Sequence, residues 1–386
     1  MISKALLERI ACPLCLEAAG CARCSAAVPG PADYAARAGC PCGGPDKVRL
    51  EPQGETLRCP ACSTAYAVHA AEGYVDLVPR SSVGEVTQYA DHEFHERLHV
   101  TDAPPVLSAR IKIDMMLGML RPQPGDTVLD LGCGAGKFAL FTGRGAVRAA
   151  GVDVAPFFLP RAAREIDLVL GDLRRLPFRK GSYPCAYSLD VLEHLDEPGV
   201  AEILLEARRT LVPGGRLFVY THAMESSRIA SFQRFVNRLA KRLGGFGLID
   251  YEREAMRKSD HRNPIKSHEH FEALAAAAGF KVAERRYYNV VFKAVVEDLL
   301  LRMVEQWRRG GPSEAHDHGH ELAHGTSVAP AAEKPRAIGG APPGRLALLV
   351  AQGLTQLLKL DIVLFSRTRT GPFFGLLVSA TRPPAS

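Results

Sequence analysis

From Ile111 to about Asn289 the chain alternates two textures. The short runs TVLDLG, AAGVDV, DLVLGD, CAYSLD and RLFVYT are apolar at nearly every position and read as strands buried on both faces. Between them lie pieces with helical spacing, such as Val200 to Thr210. Strand and helix taking turns in this way predict βαβ units, hence a Rossmann-like, doubly wound α/β sheet. After the fifth strand the pattern changes. Phe232, Phe235, Val236, Leu239 and Leu243 recur at helical spacing, with Arg234, Arg238, Lys241 and Arg242 between them, which predicts a basic amphipathic helix. A second helix from about Val291 to Trp307 carries Val295, Val296, Leu299, Leu300, Met303 and Val304 on one stripe. Residues 309–344, rich in Gly, Pro, Ala and His, read as a flexible linker. Leu346 to Phe365 is the most apolar stretch, but Gln352, Gln356, Lys359 and Asp361 interrupt it, so a packed or surface-lying helix is expected rather than a transmembrane span. The closing GPFFGLLVSATR gives one more strand. The boundaries expected are a cysteine-bearing module over 1–80, a connector over 81–110, a core of 111–290 with 370–386, and a helical insertion over 291–369.

Charge sharpens one part of this picture. The formal net charge is +6, and residues 223 to 310 alone hold 17 Lys/Arg against 11 Asp/Glu, so any basic surface belongs to that segment. MISKALLERIACPLC lacks the apolar run and small-residue cleavage site of a secretory signal, which makes a cytoplasmic location the expectation. There, the clustering of eight of the ten cysteines before residue 63 favours metal binding over disulfides.

The chemistry concentrates in TVLDLGCGAGKFAL, where a buried strand runs into Gly132, Gly134 and Gly136 and then a helix. Glycines let the backbone turn sharply and approach a ligand closely. Alone, this spacing could equally mark a dinucleotide site. Asp130, two residues before the first glycine, suits a cationic ligand better than a pyrophosphate. Asp153 ends the second strand, where a carboxylate can accept both ribose hydroxyls. Asp172 follows the third strand in GDLRRLPF, within reach of an adenine amino group.

With LDVLEHL after the fourth strand and LVPGGRL entering the fifth, these motifs resemble the class I S-adenosylmethionine-dependent methyltransferases over about residues 85 to 282, especially the methyltransferase type 11 branch with the ubiquinone and menaquinone biosynthesis enzymes. The resemblance implies a seven-stranded sheet with the cofactor across the carboxyl ends of its strands. Asp130 and the loop Gly132, Cys133, Gly134, Gly136 would hold the methionine part, Asp153 the ribose, and Asp172 with Leu173 the adenine, with Val154 also counted among the cofactor-binding residues. Ser188 and Leu189 would line the methionine side. Tyr183-Pro184 departs from the aromatic-Asp that relatives often carry before the fourth strand.

Methyl transfer from a sulfonium is dominated by positioning and water exclusion, and needs a base only if the acceptor holds a proton it cannot shed. Three residues qualify for acceptor-side roles: His194 in LEHL, His222 at the end of the fifth strand, and Asp190. Tyr89, His92, His95 and His99 precede the core, where relatives have a segment closing over the cofactor. The basic helix could cap the pocket, touch an anionic lipid surface or track RNA. The tract with His316, His318, His320 and His324 could bind metal, though such linker tracts are more often unstructured. Two acceptor classes therefore stay open: a small or lipid-like molecule, favoured by LDVLEHL, and ribosomal or transfer RNA. A scaffold without turnover is the third reading, disfavoured by intact cofactor motifs.

Cys12-Pro-Leu-Cys15 and Cys59-Pro-Ala-Cys62 are two knuckles, each pointing two thiolates at one tetrahedral centre, the arrangement of structural zinc. Cys21, Cys24, Cys40 and Cys42 would make a second, nested site, its C-x-C bite being tighter. The flanking LLERIACPLC and LRCPACSTAYAVHAAEGYVDLVP resemble the small zinc-binding proteins that partner and activate methyltransferases, and the zinc ribbons fused to some ribosomal-RNA guanine methyltransferases, over about residues 5 to 80.

Overall fold

A computed structural model describes residues 2–17, 49–78, 100–143, 145–224, 228–249, 261–288, 291–308 and 344–379. The inner cysteines, Tyr89, His92, His95 and His99, and the linker histidines all lie outside the described residues.

The chain begins with the short helices Lys4–Leu7 (α1) and Pro13–Glu17 (α2), followed by the strands Glu51–Gln53 (β1), Thr56–Arg58 (β2), Ala65–His69 (β3) and Tyr74–Asp76 (β4). Leu107–Leu120 (α3) leads into Thr127–Leu131 (β5), Lys137–Thr142 (α4), Arg148–Asp153 (β6), Pro160–Glu165 (α5), Asp167–Leu170 (β7), Tyr183–Leu189 (β8), Glu197–Thr210 (α6) and Leu211–His222 (β9). The basic helix is Arg228–Gly245 (α7), then come His268–Ala277 (α8) and Phe280–Tyr287 (β10). The second expected helix is observed as Phe292–Val295 (α9), a π-helical turn Val296–Leu301 and Arg302–Arg308 (α10). Arg345–Phe365 (α11) and Pro372–Ser379 (β11) complete the described chain.

Each of the five strand-like runs forms a strand, and β5 to β9 are mutually parallel neighbours in the order β7-β6-β5-β8-β9. Alternation along them explains the double burial. In β9, Leu217 and Val219 pack with α6 and α8 residues such as Ile203 and Phe271, while Phe218 and Tyr220 face Met116 of α3 and Leu358 of α11. Strand β11 inserts antiparallel between β9 and β10.

The seven expected strands are present as β7-β6-β5-β8-β9-β11-β10, and the sheet continues beyond them. Among the described residues it has eleven strands, because β4 pairs in parallel with β7 (Val75 opposite Val169) and carries β3, β2 and β1 with it. An edge strand leaves a row of backbone donors and acceptors open, and the cysteine-bearing segment satisfies that row. Its first residues also bond to the loop after β7: Ala11 N–H donates to the Pro177 carbonyl at 3.0 Å, and Arg179 N–H to that of Arg9 at 2.7 Å. The amino-terminal module is thus hydrogen-bonded into the sheet along its outer edge.

The helix α11 is long and apolar enough, by length and composition, to cross a membrane. Its inner face nevertheless holds two other helices. Thr355 Oγ1 accepts from Leu107 N–H at 2.7 Å, and the buried Asp361 carboxylate accepts from the N–H groups of Val291, Phe292 and Lys293 at 3.0 to 3.1 Å. These bonds satisfy backbone donors that have no partner within their own helix.

Candidate functional site

The glycine loop after β5 is built by left-handed backbone at Gly132, Gly134 and Gly136, with φ of 80°, 50° and 78°. At Gly132 a Cβ would meet the Val191 side chain at 2.5 Å, and at Gly136 that of Ala162 at 2.8 Å, so both are closed to other residues. At Gly134 a Cβ would meet nothing, because the loop there faces open space. From the end of β6, Asp153 grips the same loop. One carboxylate oxygen accepts from Gly134 N–H at 2.7 Å and the other from Ala155 N–H at 3.1 Å. A carboxylate oxygen can accept more than one hydrogen bond.

Asp130 sits inside the sheet before that loop and accepts from the Tyr187 hydroxyl at 2.7 Å. Burial pushes its carboxyl up to about 8 against that hydrogen bond, and Asp153 adds to the rise. A cation beside it would favour the carboxylate. Ser188, on the neighbouring β8, has a buried hydroxyl with no hydrogen-bond partner among the described residues. That orphan is a place for a polar ligand group. Asp172 is placed at the end of β7 as expected, but its carboxylate is already engaged by Arg174, through the backbone N–H at 2.8 Å and the guanidinium at 2.9 Å. Val154 is exposed and Leu189 buried.

The acceptor-side candidates converge. Asp190 ends β8 with φ 54°, a left-handed conformation unusual outside glycine, and forms an ion pair with Lys112 of α3. Burial opposes its ionisation, and the Lys112 ammonium outweighs that and holds the carboxyl below the usual range. Lys112 also lies over the Tyr220 ring, 4.4 Å from its centroid. Half-buried His222, at the end of β9, has Nε2 4.0 Å from Glu193 Oε1. Desolvation, aided by Lys112 and Lys293 and opposed by Asp190, holds its imidazole well below the ordinary histidine range. Ligand atoms of Asp190, Glu193 and His222 all lie within 4.8 Å of one another. His194 instead turns toward His261, ring centroids 4.6 Å apart.

Glu193 is the residue that motif reading passed over. It is fully buried, accepts from the Thr221 hydroxyl at 3.0 Å, and is pushed up to about 8 by burial and then by Asp190. Its carbonyl also accepts from Arg262 and Asn263 N–H at 2.8 and 3.0 Å, anchoring the segment before α8. A carboxyl flanked by two candidates in LDVLEHL was the available signal. Lys112 and Lys293 gave none, since each reaches the site from an element distant in sequence.

At the other end of the sheet, Cys12, Cys15, Cys59 and Cys62 come together, all four sulfurs within 4.8 Å of one another. Cys12 and Cys62 are 3.5 Å apart, Cys15 and Cys59 3.7 Å. A tetrahedron with metal–sulfur bonds of about 2.3 Å has edges of about 3.8 Å, so the tetrad fits a zinc-sized ion. Burial pushes the Cys12 thiol up to about 11, and a bound cation would reverse that penalty. The Tyr66 hydroxyl lies 3.0 Å from the Cys12 sulfur and supports it from the β3 side.

Residues 128–215 match the family described as "Methyltransferase domain". Over 147 residues the chain is 38% identical to an uncharacterized 37.1 kDa protein in transposon TN4556 of Streptomyces fradiae, covering 36% of this chain and 39% of that one. It is 32% identical over 105 residues to "Probable tRNA methyltransferase 9B" of Bos taurus, covering 27% and 23%. The sterol 24-C-methyltransferase ERG6B of Gibberella zeae is 30% identical over 115 residues, covering 26% and 29%. In each case the match spans less than two fifths of the relative's own length.

Proposed function

We propose that this chain, which contains a methyltransferase domain, is an S-adenosylmethionine-dependent methyltransferase acting on a small or lipid-like acceptor. The observation that carries the cofactor reading is the paired arrangement of Asp153 and the Gly134 loop beneath open space, with Ser188's unpartnered hydroxyl and Asp130 beside it. When bound, the cofactor supplies an activated methyl group. The chain's own residues do the rest. Asp130 balances positive charge, Asp153 holds the sugar, and the glycine loop allows close approach. On the acceptor side, Lys112 fixes Asp190, and His222 stays neutral and able to accept a hydrogen bond from the acceptor. Lys293, at the start of α9, is near enough to bias both Asp190 and His222, which supports an acceptor held beneath the helical insertion. The four outer thiols hold a structural zinc in this reading. The basic helix α7 keeps RNA as the rival acceptor.

The discriminating experiment incubates the purified protein with methyl-labelled cofactor and either a metabolite-and-lipid extract or total tRNA and rRNA. Label entering the extract supports the proposal. Label entering RNA, with binding that weakens steeply as salt rises, overturns it.

Two further outcomes are expected. Asp130 is protonated below about pH 8 and must lose that proton when a cation binds, so cofactor affinity should fall about tenfold per pH unit below about 8. Calorimetry across that range should show the slope, and Asp130→Asn should flatten it while weakening binding overall. For His222, the pH–rate profile should lack a limb near the ordinary histidine value of about 6.5, because the imidazole is already neutral there. His222→Ala should lower kcat by roughly tenfold through loss of one orienting hydrogen bond to the acceptor. A limb near 6.5 that vanishes in this variant would contradict the assignment of its protonation state.

A further inference from the structure

The outer face of α11 presents what a soluble domain ordinarily hides. Leu346, Leu349, Val350, Leu360, Val363 and Leu364 are all exposed, Leu349 at 64% and Val363 at 75%. Apart from Val350 near the helix start, they lie on the side opposite to buried Thr355, Leu358 and Asp361. A helix apolar on both its faces calls for a second apolar environment. The π-helical turn and α10 add exposed Leu300, Val304 and Trp307, the last at 82%. On α7, Phe235 is exposed at 55%, so the apolar stripe read from the sequence is split, with Val236 and Ala240 inside and Phe235 outside.

These elements are joined by packing: α7 packs on α9 and the π-helical turn, and α9 packs on α11. Charge identifies what they meet. α7 contains Arg234, Arg238, Lys241 and Arg242, all exposed, and no acidic residue. The only acidic residue of α11 is Asp361, and it is buried. Exposed leucine, phenylalanine and tryptophan beside arginine and lysine is the composition of a helix lying in an anionic lipid interface. A second copy fits less well. α11 by itself offers an outer strip of about 31 Å by 10 Å, near 300 Å², so a stable dimer with roughly 800 Å² per partner would have to take in α7 and its arginines and lysines. A two-fold contact would also bring the two α7 basic clusters into the same interface.

We propose that α11, together with α7 and Trp307, is a peripheral membrane-binding face that seats the protein on anionic lipid, with α11 lying in the plane of the interface. Thr355 and Asp361 fix that orientation, since an inserted α11 would abandon the helix starts it caps. This inference stands on residues other than those of the methyl-transfer reading, and it survives or fails separately from it.

The test is flotation of the full chain with vesicles of phosphatidylcholine, with and without phosphatidylglycerol. Binding to the anionic vesicles, reduced roughly tenfold or more by Leu349→Glu with Val363→Glu and weakened by salt or by Arg238→Glu with Lys241→Glu, supports the proposal. A circular dichroism spectrum and melting temperature equal to wild type in these variants show that they fold; Leu349→Gln is the milder substitute should the glutamates fail. Absence of vesicle binding by the wild type overturns the proposal. So does undiminished binding by the double variant. A wild-type dimer that becomes monomeric in the Leu349→Glu, Val363→Glu variant without any vesicle binding assigns the face to a second copy and also overturns it.

Discussion

Replacing Asp153 with alanine is expected to raise the dissociation constant for S-adenosylmethionine by roughly 10²- to 10³-fold. Two effects add. A carboxylate that accepts from both ribose hydroxyls contributes about 1.5–3 kcal/mol per charge-assisted hydrogen bond, and each 1.4 kcal/mol is tenfold in affinity. The same carboxylate also holds Gly134 N–H at 2.7 Å and Ala155 N–H at 3.1 Å, so its removal releases the loop on which the ligand would rest. Asp153→Asn separates the two effects. Its amide oxygen keeps one backbone acceptor while losing the charge, and an intermediate affinity is expected. Unchanged affinity in Asp153→Ala, measured by calorimetry on protein with a wild-type circular dichroism spectrum, would remove the cofactor assignment of the whole carboxyl-end site.

The second large effect concerns the thiols. Chelating the metal, or substituting Cys12→Ser, is expected to release one zinc ion from the outer tetrad and to lower the melting temperature by an amount on the order of 10 °C or more. Structural zinc in small modules binds with about 10–16 kcal/mol, and because the unfolded chain offers no preformed site, that energy is folding energy. Here Cys12 and Cys15 lie on the first turns while Cys59 and Cys62 lie between β2 and β3, so the ion would cross-link segments separated by more than forty residues. Its loss would free the meander whose last strand, β4, covers the open edge of β7. Elemental analysis with differential scanning fluorimetry checks this. Protein that contains no zinc as purified, and that melts at the same temperature with and without chelator, would refute the metal assignment.

Some failures of sequence reading are instructive. The basic helix was legible from its spacing, yet which of Phe235 and Val236 faces inward was not, because both lie close to the apolar stripe and the choice depends on the partner helix. Glu193 stood in plain view between Asp190 and His194, but nothing in LDVLEHL says that its carboxyl is buried and poised near 8. Nothing in GDLRRLPF says that Arg174, two residues on, bonds the Asp172 carboxylate.

The sequence by itself determined the parallel core, its five central strands in order, the glycine loop, the aspartates at the strand ends and the pairing of the two outer cysteine knuckles. These are local signals. Apolar runs, glycine turns and C-P-x-C spacings act over a few residues, where backbone sterics and side-chain periodicity decide the outcome. The tertiary structure alone decided that the sheet continues into the amino-terminal module through β4 and β7, that Lys112 clamps Asp190, and that α11 turns one apolar face to the domain and the other outward. Each of those joins residues tens to hundreds of positions apart, and a strand edge, an ion-pair partner or a covered helix face is a property of the neighbour that arrives there.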